Sequence, residues 1–176
     1  MVPYGGDPAL VLRHAIEMEV QGKDFYERAS ARMQNTRGKD MFLSLVRQER
    51  LHIDVLEDQL TRYVHDSKWY SLSSLIADVE EHPEKSVFEM PEIKNIKLDP
   101  DAGELDVIKL GMEVENRSIA YYHEAGTEVK DANAKGIFNW LVAQETGHLQ
   151  VLQAEYDLRT KSGFYFDSPQ FSMEVK

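Results

Sequence analysis

The 176-residue chain contains no cysteine. That excludes disulfides, thiolate metal sites, iron–sulfur clusters and a cysteine nucleophile. No apolar run approaches the roughly 18 residues that a membrane helix needs. The first ten residues, MVPYGGDPAL, show no basic region followed by an apolar stretch, so no secretory signal is expected. Positive charge is scarce: 20 Lys and Arg stand against 31 Asp and Glu, a net charge of −11. Nucleic acid and anionic membrane surfaces would be repelled and are not expected as partners, and a cytoplasmic location is the expectation. The same acidity attracts cations, and it also keeps a protein soluble.

What the chain does have is helical periodicity. Asp7 and Pro8 form a start signal, a capping side chain followed by a residue suited to the first helical position. Ala15, Gly22, Tyr26, Ala29 and Met33 then mark one face of a helix expected over residues 8–33. The polar stretch at 34–38 reads as a turn. A second helix follows to residue 64, with Phe42, Leu45, Val46, Ile53, Leu56 and Leu60 inward. Pro83, Pro91 and Pro100 interrupt the next stretch, where SLSSLIADVEE (71–81) has room for one short helix. Asp101 with Glu104 reads as a capping box that opens a third long helix over 103–130. A turn at 131–133 leads to a fourth helix ending near Lys161, with Gly163 as its stop.

These four helices form two hairpins joined by a long crossover, residues 65–103. A helix of about 26 residues is about 40 Å long, and the crossover is long enough to travel that distance. The expected fold is therefore all-α, an antiparallel four-helix bundle running up-down-down-up with one crossover between the second and third long helices. Each hairpin alone would expose an apolar face, so residues 1–176 read as a single domain. The tail after residue 162, with its FYFDSPQF run, is too aromatic to stay solvated and is expected to pack on the bundle or on a second subunit.

The hairpins repeat one another. Residues 45–56, LVRQERLHIDVL, reappear at 141–152 as LVAQETGHLQVL. Aligned without gaps, residues 15–57 and 111–153 share 13 identities in 43 positions. Similar apolar faces explain some of these matches, but not the charged ones. The apolar or small stripe of the first helix is broken by Glu19, and that of the third by Glu115. Glu17 and Glu113 are repeated too, but they lie about 200° away among polar neighbours and read as solvated. On the second helix Glu49 and His52 share a face with Phe42, Leu45 and Leu56; on the fourth, Glu145 and His148 share one with Phe138, Leu141 and Leu152. Counting from the turns puts all six at one depth. Four buried carboxylates without partners are very costly, because each loses water and they repel one another. Two divalent cations would remove that cost, with the imidazoles supplying nitrogen ligands. Oxygen and nitrogen donors suit iron or manganese, and zinc also occupies such sites.

This pattern resembles the ferritin-like di-iron carboxylate proteins, and within them the rubrerythrin-like branch. One Glu from each of two helices and a Glu-x-x-His from each of the other two is their ligand set. The stretches E-x-x-G-x-x-x-Y at 19–26 and E-x-x-S-x-x-x-Y at 115–122 also look rubrerythrin-like. The resemblance implies two iron ions per chain. Glu49 and Glu145 would bridge them, Glu19 with His52 would complete one shell, and Glu115 with His148 the other. Tyr26 and Tyr122 would hydrogen-bond ligand carboxylates, with plain core packing the competing reading. Gly22 and Ser118, one turn from the ligands, would leave room for a small oxidant or allow close helix packing.

The resemblance further implies an oxidoreductase that reduces peroxide or dioxygen in oxidative stress, fed by an external electron donor and assembled as a homodimer. Ferrous ion as substrate, in iron oxidation or storage, is a second reading, and a structural bundle with a vestigial site a third. Two departures stand out. A chain without cysteine has no rubredoxin module, and Ser118 occupies the position of an additional Glu found in rubrerythrins. The site is closer to the more symmetric pattern of bacterioferritins and manganese catalases.

Overall fold

The computed structural model describes residues 7–82 and 95–162. They form five helices: α1 (Pro8–Arg32), α2 (Thr36–Asp66), α3 (Leu72–Glu81), α4 (Glu104–Glu128) and α5 (Ala132–Thr160). No strand occurs among the described residues. The expected stop at Gly163, the aromatic tail, Pro83 and Pro91 all lie outside the described residues.

Local chemistry sets the ends. Asp7 accepts the Ala9 N–H at 2.9 Å, with Pro8 at the first helical position of α1. Asn35 accepts the Gly38 N–H at 2.7 Å, so α2 begins at Thr36 and takes in part of the expected turn. A Cβ on Gly38 would sit 2.5 Å from the Arg159 guanidinium, so glycine lets that side chain cross. Asp131 caps α5 through the N–H groups of Asn133 and Ala134. The start of α4 differs from expectation. Its cap is Gly103, whose N–H donates to Asp106 Oδ2 at 3.2 Å, rather than Asp101 paired with Glu104. Glu104 is engaged elsewhere: it pairs with Arg159 and accepts the Gln34 N–H.

Side chains that cross the bundle fix the topology. Tyr26 of α1 donates to Glu115 of α4, and Tyr122 of α4 donates to Glu19 of α1. Residues seven apart on one helix thus meet residues seven apart in reverse on the other, so α1 and α4 are antiparallel. His52 lies 3.2 Å from Glu145 and His148 3.1 Å from Glu49, which makes α2 and α5 antiparallel too. Two antiparallel hairpins joined this way run up-down-down-up, with α3 in the crossover. This is the ferritin-like bundle. The end of the crossover is tied to α1, where Arg28 donates to the Ile96 carbonyl and Arg32 to that of Ala102, each at 2.8 Å.

The apolar core falls into two clusters. One includes Leu12, Ile16, Leu56, Leu60, Tyr122, Phe138 and Leu141. The other includes Phe25, Tyr26, Phe42, Leu45, Ile108 and Leu152. Between the phenylalanines and leucines of the two clusters lie the buried glutamates and histidines. The repeat is not followed everywhere: Val55 is buried in the cluster that contains Leu75 of α3, whereas its counterpart Val151 is 45% exposed.

Candidate metal centre

Each of the four long helices supplies one carboxylate to a band across the middle of the bundle. Glu19 and Glu115 come from α1 and α4; Glu49 and Glu145 come from α2 and α5 together with His52 and His148. The helical period explains the selection, because these positions share faces with Ala15 and Tyr26, Leu45 and Leu56, or Leu141 and Leu152. All six are at most 3% exposed. Glu17 is half-exposed and faces His14 at 3.5 Å, and Glu113 is exposed, so neither enters the band.

The six side chains form two overlapping groups, each with ligand atoms within 4.8 Å of one another: Glu19, Glu49, His52 and Glu145, then Glu49, Glu115, Glu145 and His148. Glu49 and Glu145 belong to both. His52 Nδ1 lies 3.1 Å from Glu19, 3.4 Å from Glu49 and 3.2 Å from Glu145. His148 Nδ1 lies 3.1 Å from Glu49, 3.5 Å from Glu115 and 2.8 Å from Glu145. Donors bonded at about 2.1 Å to one ion are about 3.0 Å apart on an octahedron and about 3.4 Å on a tetrahedron. The imidazole–carboxylate spacings fall near that range.

Hydrogen bonding leaves part of this cluster unsatisfied. Both oxygens of Glu145 and Nδ1 of His148 are buried and lie at ion-pair distance, yet no partner meets them with hydrogen-bond geometry. Once deprotonated, these atoms have lone pairs to offer a Lewis acid. Four carboxylates and two divalent cations also cancel in charge, so the donor set fits two ions. The outer Nε2 atoms of both histidines have no partner among the described residues. That departs from the usual support of a ligating imidazole by a carboxylate or carbonyl. Instead the His52 ring meets Trp140 edge to face at 5.1 Å and stacks on His148 at 5.4 Å. The repeat gave no hint of Trp140, because its counterpart is Ser44.

The electrostatics follow from burial and crowding. Burial pushes Glu19 well above the ordinary carboxylate range, and Glu145 and Glu49 add to the push. Burial likewise raises Glu115. For Glu49 and Glu145 burial acts in the same direction, but the imidazoles of His52 and His148 at ion-pair distance hold both below the ordinary range. Burial works against protonated imidazole, yet the surrounding carboxylates overcome it. His52 is raised well above its usual value, and His148 to about 12. Tyr26 and Tyr122 are raised by burial and by the carboxylates they face, so both remain phenols. Each phenol crosses to the other hairpin's glutamate, two helical turns from the glutamate on its own helix. At Gly22 a Cβ would meet the Glu49 carboxylate at 3.7 Å, an ordinary contact, and no backbone of a neighbouring helix. The glycine therefore leaves space over a carboxylate.

Fold and site together define a ferritin-like bundle with a buried carboxylate–histidine cluster able to hold metal. The chain belongs to the rubrerythrin family, whose model matches residues 11–156. Among solved structures it is similar to a hypothetical protein from Pyrococcus furiosus, with 20% identity, a TM-score of 0.64, and coverage of 93% of this chain and 96% of that one. At that identity the likeness concerns the fold alone. No curated relative matches the chain. No described helix is long and apolar enough to cross a membrane.

Proposed function

We propose that the chain is a di-iron oxidoreductase that reduces peroxide or dioxygen with electrons from an external donor. The observation that carries this reading is the pair of overlapping donor groups sharing Glu49 and Glu145, shut away from water. In it Glu49 and Glu145 bridge two ions, Glu19 and His52 complete one shell, and Glu115 and His148 the other. Two iron ions held there would supply two electrons to one small oxidant. The remaining work belongs to the chain. Tyr26 and Tyr122 orient the terminal carboxylates by donating to them, and as retained phenols they hold protons beside the site. The apolar clusters on either side exclude bulk water.

A pocket of about 180 Å³ between α1 and α4 supports a small substrate. Its lining includes Met18 and Gln21 from α1 and Val114, Arg117 and Ser118 from α4. Ser118 lies one turn beyond Glu115, so the pocket lies beside the site, with none of the six residues of the centre in its lining. No carboxylate is among the described residues that line it, which favours a neutral oxidant such as hydrogen peroxide over ferrous ion as the molecule admitted there. The test is anaerobic loading with about two equivalents of ferrous iron, as a two-metal site requires. Loaded protein is then mixed separately with peroxide and dioxygen while ferric absorbance is followed. Oxidation by peroxide is expected to be the faster. Two bound irons that neither oxidant touches would overturn the proposal.

A further inference from the structure

The pocket between α1 and α4 is larger and more apolar than hydrogen peroxide requires. Its volume is about 180 Å³. At about 30 Å³ for each water-sized group, hydrogen peroxide fills roughly a third of that. Three lining side chains, Met18, Ile96 and Val114, are apolar and offer hydrogen peroxide no partner. Two others are polar and unengaged. Ser118 is 8% exposed, and neither its hydroxyl nor the side-chain amide of Gln21 forms a hydrogen bond among the described residues. A hydroxyl that buried normally has a partner, and the pocket is where one would come from. The two basic side chains of the lining are engaged elsewhere: Arg117 is exposed and its Nε donates to the Glu113 carbonyl at 3.3 Å, and His14 faces Glu17 at 3.5 Å. The pocket therefore suits a neutral ligand with a polar end and an apolar body.

The repeat shows where that ligand would be aimed. Met18 and Val114 are counterparts, and so are Gln21 and Arg117. A space lined by counterparts from antiparallel helices lies close to the pseudo-two-fold axis that relates the hairpins. The same axis relates His52 to His148 and Glu49 to Glu145. The pairs Tyr26–Glu115 and Tyr122–Glu19 put it level with Gly22 and Ser118. Both are small: Ser118 lines the pocket, and the nearest atoms to a Cβ on Gly22 would be those of the Glu49 carboxylate. A molecule in the pocket is thus directed between the two donor groups rather than at one of them.

From this pocket we infer, resting on the di-iron reading above, that the preferred substrate is a small alkyl hydroperoxide rather than hydrogen peroxide. Ser118 and Gln21 donate to its hydroperoxy group, and its alkyl group lies against Met18, Ile96 and Val114. The six heavy atoms of tert-butyl hydroperoxide match the volume at about 30 Å³ each. Its reduction breaks the O–O bond, takes two electrons from the two ferrous ions and two protons from water, and releases an alcohol and water. Burying one methyl group favours binding about fourfold, so partial burial of the three gives roughly a tenfold preference.

The first measurement is free of redox chemistry. The full chain is loaded with zinc, which keeps one oxidation state. tert-Butyl hydroperoxide is titrated in while the Met18 methyl resonance and the Gln21 and Ser118 backbone amides are followed by nuclear magnetic resonance. Saturable shifts are expected at these three and not at the methyls of Met33 or Met41. Ser118→Ala should weaken binding about fivefold, the worth of one hydrogen bond. Val114→Phe should abolish it; Met18→Phe fills the pocket from the other helix and should do the same, read at the two amides. The ferrous protein is then mixed with tert-butyl hydroperoxide and with hydrogen peroxide, and the second-order rate constants for ferric absorbance are compared. The alkyl hydroperoxide is expected to react roughly tenfold faster, and either Phe variant should bring the ratio to one or below. The absence of saturable shifts, shifts that both Phe variants leave intact, or a wild-type rate ratio of one or less overturns the inference and leaves the di-iron reading in place. Iron that neither peroxide oxidises overturns that reading and the inference with it.

Discussion

Loading the empty protein with two divalent ions should expel about four protons. In the metal-free site burial raises Glu19 and Glu115 well above the ordinary carboxylate range, so both hold their protons to higher pH than exposed carboxyls do. His52 and His148 are raised by the carboxylates around them and carry their second proton. Glu49 and Glu145 are ionised. Two imidazolium charges and two carboxylate charges sum to zero. Ligation needs all four carboxylates ionised and both imidazoles neutral, a charge of −4 that two divalent cations cancel. The site is thus neutral before and after, and the exchange is four protons for two ions. The overall two-ion binding constant should then rise by about four powers of ten per pH unit while all four protons remain bound, because each proton released adds one. The assay is anaerobic titration with ferrous or manganous ion in weakly buffered solution under a pH-stat. Calorimetry in two buffers of different ionisation heat is an independent count. Release of one proton or fewer, or an affinity that does not change between pH 6 and 8, would refute this account of the empty site.

Glu115→Ala should lose metal while Glu113→Ala keeps it, by elemental analysis after reconstitution. The metal-free Glu115→Ala protein should melt no lower than the metal-free wild type, because it no longer buries an acidic group that burial and neighbouring carboxylates disfavour. Tyr26→Phe leaves the Glu115 carboxylate without its donor and should weaken metal binding about 10–100-fold, with the fold retained by circular dichroism; an unchanged affinity would make the phenol mere packing. The metal-free protein should melt lower as pH rises from 6 to 9. The sign follows from two sets of groups. The raised imidazoles contribute stability that is complete below the unfolded value of 6.5 and is lost as pH climbs toward the folded values. The raised carboxyls retain protons that the unfolded chain releases above 4.5, a penalty that also grows with pH. Saturating metal should raise the melting temperature and reverse the trend.

The six residues of the centre were legible because each is a charge on a stripe that is otherwise apolar or small, and because counting from the two turns places them at one depth. The up-down-down-up order was legible from the length of the crossover alone. Other features depend on which neighbour a face meets, which periodicity does not encode. Tyr26 was readable as inward, but its reach to Glu115 on α4 depends on the spacing between two helices far apart in sequence. Trp140 beside His52 has no partner in the repeat. The start of α4 held two overlapping capping patterns, Asp101 with Glu104 and Gly103 with Asp106. The choice between them follows from Arg159, 55 residues away, which occupies Glu104.

The division of the apolar core by a polar band has a consequence for how the molecule opens. In most domains the deepest residues are the last to exchange their amide hydrogens, because apolar packing is densest there. Here the middle of every long helix is where apolar contact gives way to carboxylates and imidazoles, and the two clusters grip only the ends. In the metal-free chain the bundle therefore behaves as two stacked half-cores with a weak waist. Amides around Glu19, Glu49, Glu115 and Glu145 would exchange earlier than those near Phe42 or Leu60. Metal bound there would fasten four helices at that waist, so the order of opening should reverse in the loaded protein.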